Sequence, residues 1–102
     1  MHLLEPWSEL VPGRREQMEA ELARELSPEH PLHGEKVTAV AARSDRDDVL
    51  FEVAGHGVAV VHLTWSGCPE RSPEWPTTRW FASLDDWRER GMRVDRAEYA
   101  AP

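Results

Sequence analysis

Apolar residues first recur along this chain with a helical rhythm. Between Arg14 and Leu26 they fall every four positions at Met18, Leu22 and Leu26, with Ala23 widening the stripe. Glu16, Glu19, Glu21, Arg24 and Glu25 fill the intervening positions, so the pattern predicts an amphipathic helix with its acidic residues mostly in water. Pro28 disfavours helical geometry at Ser27, which sets the helix end near Leu26.

The rhythm then becomes that of strands. Asp48–Trp65 contains two runs rich in β-branched and aromatic residues around Ala54-Gly55-His56-Gly57, the signature of a β-hairpin. A two-residue loop at Gly55-His56 pairs Phe51 with Val60, and one at His56-Gly57 pairs Phe51 with His62. Either register puts Val49, Phe51, Val53, Val58, Val60 and His62 on one face. Leu50, Glu52, Ala54, Ala59, Val61, Leu63 and Trp65 share the other. Neither face is polar, so both should be covered, and the small Ala54 and Ala59 leave room for a helix.

Val37–Arg43 reads as a further strand, joined through the Ser44–Asp47 turn so that Val40 faces Phe51. Residues 1–13 read as an irregular arm laying Trp7 on the core, and Glu29–Gly34 as a turn-rich connector. Ser66–Thr78 is a long proline-containing loop, Arg79–Ala82 a short fourth strand, and Ser83 the cap of a helix with Asp86 three residues on. Leu84 and Trp87 form the buried face of that helix, Gly91 ends it, and the tail from Met92 adds a turn around Tyr99. The sum is a single α+β domain over residues 1–102. An antiparallel three- to four-stranded meander lies between an N-terminal helix and a short C-terminal helix, in the order α-β-β-β-(β)-α.

Charge narrows the partners. Twelve basic against nineteen acidic residues give a net charge of −7, which phosphate backbones repel, so nucleic acid is not an expected partner. No run of apolar residues is long enough to span a membrane, and the N-terminus has no signal-peptide pattern. The single Cys68 precludes an internal disulfide and fits a reducing cytoplasm. Lys36 is the only lysine among many arginines, a compositional hint of a GC-rich bacterial genome.

The candidate chemistry is sparse. His30 and His33 form a His-x-x-His pair, with His56 in the hairpin turn, but no second clustered pair completes a zinc site. Ordinary loop histidines are the simpler reading, and no cofactor is expected. His62 and Glu52 fall on opposite faces, which argues against a general acid–base pair. Cys68 has no positioned base, and Asp45–Asp48 lacks calcium-loop spacing. Five tryptophans are the salient feature. Trp65 and Trp87 read as structural, whereas Trp75, flanked by Glu74 and followed by Arg79, is the best recognition residue.

Three phrases resemble those of small uncharacterised bacterial proteins: His-Pro-Leu-x-Gly at 30–34, Val-Val-His-Leu-Thr-Trp at 60–65, and Trp-Pro followed by Phe-x-Ser-x-x-x-Trp over 75–87. That resemblance implies no activity. The order helix, three strands, helix also resembles the double-stranded-RNA-binding domain, but Ser83-Leu84-Asp85-Asp86 stands where that family needs lysines. The expected function is non-catalytic protein binding by a monomer or homodimer, in the manner of an inhibitor or immunity protein that masks a basic surface. The alternatives are a small metal-binding protein or enzyme using His30, His33, His56 or His62, and a ligand-binding module with Trp75 over its pocket.

Overall fold

A computed structural model of the chain describes residues 2–101. The elements in order are β1 (Trp7–Glu9), α1 (Arg14–Glu25), β2 (Val37–Arg43), β3 (Asp48–Val53), β4 (Gly57–His62) and β5 (Thr78–Phe81). A continuous helical segment follows: α2 (Leu84–Trp87), a π-helical turn (Arg88–Met92) and α3 (Arg93–Ala100). The five strands form one antiparallel sheet in the order β1-β2-β3-β4-β5, an α+β meander.

Both faces of the sheet are covered, as the absence of a polar face required. On one face α1 sets Met18, Leu22 and Leu26 against Ala39, Val49, Phe51, Val53, Ala59, Val61 and Leu63. On the other, Trp87 and Met92 from the helical segment meet Trp7, Ala41, Leu50, Val58, Val60 and Phe81. Trp7 and Trp87 stack edge to face with ring centroids 5.2 Å apart.

The hairpin closes through three residues, Ala54–His56, because Val53 pairs with Gly57. Phe51 therefore lies opposite Ala59 and Asp48 opposite His62, and not in either predicted register. A change of loop length by one residue inverts the parity of one strand against the other. Val58, Val60 and His62 thus share a face with Leu50, while Ala59, Val61 and Leu63 join Val49 and Phe51. Of the two hairpin glycines, Gly57, at φ 87°, is the one with no room: a Cβ there would stand 2.5 Å from the Phe81 carbonyl oxygen.

Other expectations need correction. Trp7–Glu9 is a true edge strand, pairing Trp7 with Arg43, and only the burial of Trp7 was foreseen. Val40 does not face Phe51; it bulges between Ala39, opposite Phe51, and Ala41, opposite Leu50. As expected, Ser83 caps α2, accepting the Asp86 N–H at 3.1 Å, while the Asp86 carboxylate accepts the Ala82 N–H at 2.9 Å. Gly91 does not end the helix. It is buried inside it, where a Cβ would come within 2.6 Å of the Trp87 ring, so its smallness admits the indole.

Candidate functional site

Two acidic residues placed in water by the periodicity are buried. Glu21 and Glu25 lie at i+3 and i+7 from Met18, on the same stripe as Leu22 and Leu26, and are 2% and 0% exposed. Both carboxylates face the chain that leaves β4. Glu25 accepts the backbone N–H groups of Thr64 at 2.9 Å and Trp65 at 2.8 Å, and Glu21 accepts that of Gly67 at 3.1 Å. The Glu25 carbonyl also accepts the Glu70 N–H at 3.0 Å. Burial, reinforced by the hydrogen bond with Glu21, pushes the Glu25 carboxyl up to about 7, while that same bond, with Gly67 and Arg24, holds Glu21 low. The two groups share a proton near neutrality.

This latch orders the first half of the loop between β4 and β5. Trp65 takes a positive φ of 56°, a conformation a bulky residue keeps only when its surroundings impose it. Its indole, expected in the core, is 40% exposed, with the Arg14 guanidinium 5.8 Å from the ring centre.

The second half is fixed from below by His30. Leu32 N–H donates to His30 Nδ1 at 3.0 Å, so the ring proton sits on Nε2, which donates to the Pro76 carbonyl at 3.0 Å. His30 is buried with both nitrogens occupied, His33 is exposed, and His56 lies 3.4 Å from Glu35 at the surface. The three histidines are not brought together, and no group of three or more metal-ligating side chains forms among the described residues. Glu52 and Cys68 are exposed on the surface.

Pro76, fully buried, pins the loop, and Trp75 does not: its side chain is 46% exposed. Glu74 beside it is exposed, its N–H bonded to Ser72 Oγ at 3.2 Å. Trp80 on β5 is 40% exposed and borders a surface hollow with Pro31, Glu35 and His56. Three of the five tryptophans therefore stand out of the surface on the β4–β5 loop and the edge strand it leads into.

Arg79 turns to the opposite face, into a polar network that the predicted register had concealed. His62 Nδ1 donates to the buried Asp48 carboxylate at 2.7 Å. The second oxygen of Asp48 lies 3.3 Å from Arg46 and 4.0 Å from Arg79. Arg79 also reaches Asp95 of α3 at 3.3 Å, and Asp95 accepts the Trp7 indole N–H at 2.9 Å and faces Arg43 at 3.5 Å. The network ties all the sheet's outer elements to α3.

Compared with protein-family models, curated proteins and solved structures, the chain finds no match.

Proposed function

We propose that this chain is a non-catalytic protein-binding domain, an inhibitor- or immunity-type acidic protein of a bacterial cytoplasm, that recognises a basic surface of its partner with Trp75 at the centre. The supporting observation is the exposure of Trp65, Trp75 and Trp80, each at 40% or more, on one ordered loop and its edge strand. Burying an indole in a partner's pocket contributes large area at the cost of few rotatable bonds, and for that reason tryptophan is enriched among the residues that dominate interface energies. Left in water, such side chains promote association.

The charge supports the same reading. A net charge of −7 speeds encounter with a basic partner and deters nucleic acid. The loop also carries its own acidic flank in Glu70 and Glu74.

The reading is tested by using the chain as bait in an extract of its native host, identifying retained proteins by mass spectrometry, and measuring the purified pair. The expected result is one retained protein with a basic contact surface, whose association rate falls steeply with added salt. A retained partner that binds equally well after substitution of Trp75 and Trp80 by alanine contradicts it.

A further inference from the structure

We propose that the cleft at the His62 end of the sheet binds the oxyanion group of a small molecule, carboxylate or phosphate in type, and takes up a proton on His62 as it does so. The site follows from strand register. Asp48 pairs with His62, and the His62 N–H donates to the Thr77 carbonyl at 3.0 Å, so these three residues form one row across adjacent strands. The next row on that face is Leu50, Val60 and Arg79. Residues opposite one another present their side chains on the same side, so Thr77, His62 and Arg79 converge. Together with Arg46, Asp48 and Val60 they line a cleft of about 270 Å³.

The carboxylates in and around the cleft are already engaged. Asp48 is committed through one oxygen to His62 and through the other to Arg46 and Arg79. Asp95, from α3, is committed to Trp7, Arg43 and Arg79, and Asp45 is taken by Arg43. The cleft keeps the remaining N–H groups of Arg46 and Arg79, whose side chains are about half exposed, and the Thr77 hydroxyl. Two arginines and one aspartate line the cleft, in a chain that is strongly acidic overall. An oxyanion, which only accepts, fits these donors, and guanidinium forks suit its geometry.

The proton follows from the tautomer. With Nδ1–H given to Asp48, the neutral ring has a lone pair at Nε2, for which no partner exists among the described residues. A lone pair repels an anion. Protonation turns Nε2 into a donor while Asp48 steadies the imidazolium from behind, so anion and proton bind together. The volume beside the charged groups, floored by Val60, leaves room for a small organic body.

Sulfate and acetate are suitable probes because each keeps a fixed charge between about pH 6 and 8. The full chain is titrated with each, following the His62 ring and Arg79 side-chain nitrogens by nuclear magnetic resonance. The expected result is a saturable shift with at least one probe, roughly tenfold tighter at pH 6 than at pH 8. Binding of sulfate points to a phosphate-type ligand and binding of acetate to a carboxylate. Arg46→Gln should weaken binding and keep its pH dependence; His62→Gln should abolish the pH dependence. No saturable shift at pH 6, equal affinity at pH 6 and 8, or an unchanged slope in His62→Gln overturns the proposal. The wild-type series and Arg46→Gln decide it without His62→Gln should that variant not fold.

Discussion

The Glu25 carboxylate holds the backbone of Trp65 through a 2.8 Å hydrogen bond across forty residues of sequence. With its bond to Thr64 and the Glu21–Gly67 bond, it gives the exposed loop a fixed base on α1. An ordered loop loses less entropy when its tryptophans meet a partner, so the latch would prepare the proposed recognition surface.

The latch makes stability depend on pH. Folding raises the Glu25 carboxyl from 4.5 to about 7, so its contribution is complete below about 4.5 and is lost as pH rises through 7. Glu21, shifted the opposite way, acts only at more acid pH. Urea denaturation should show stability falling by about 1–3 kcal/mol between pH 5 and 8, with Trp65 fluorescence changing over the same range. Glu25→Gln should flatten that slope. A flat wild-type profile would mean that the pair does not share a proton.

The hairpin turn separates strain from crowding. Gly55 and Gly57 have similar positive φ values, 81° and 87°, yet a Cβ at Gly55 meets nothing within 4 Å while one at Gly57 meets the Phe81 and Ala82 carbonyls. Gly55→Ala should cost about 1–2 kcal/mol, the strain alone. Gly57→Ala should cost at least about 1 kcal/mol more, since β5 must shift. Equal losses in denaturant unfolding would refute this packing of β4 against β5.

His30 is a structural residue in this account. His30→Ala removes two buried hydrogen bonds and leaves a cavity under Pro76, so it should cost about 2–4 kcal/mol. Zinc or a chelator should leave the melting temperature of the wild-type chain unchanged. A zinc-dependent rise that disappears in His30→Ala would restore a metal role.

Helix α1, the start of α2 and four of the strands were legible because their periods are set by local geometry; the helical run past Gly91 was not. The three-residue β1 has no room for a period. Facing was lost to a single residue of loop length: with the wrong parity His62 falls on the face of Phe51, and the Asp48–His62 pair cannot be seen. Glu21 and Glu25 did carry a signal, lying on the stripe of Met18 and Leu22. Carboxylates default to water, however, and the N–H groups that draw them inward come from Thr64, Trp65 and Gly67, a relation the helix pattern does not contain. Arg79 was singled out beside Trp75; on β5 it turns to the face opposite Trp80 and joins Asp95.

The central claim rests on Trp75, and Trp75→Ala tests it most directly when stability and partner affinity are measured on the same sample. With the side chain 46% exposed and Pro76 as the buried anchor, the loss of stability should stay under about 1 kcal/mol while affinity for the captured partner falls by at least about thirtyfold. A variant destabilised by about 3–5 kcal/mol would make Trp75 a lid on the core. One equally stable and equally tightly bound would remove it from the recognition surface, and either result would contradict the account.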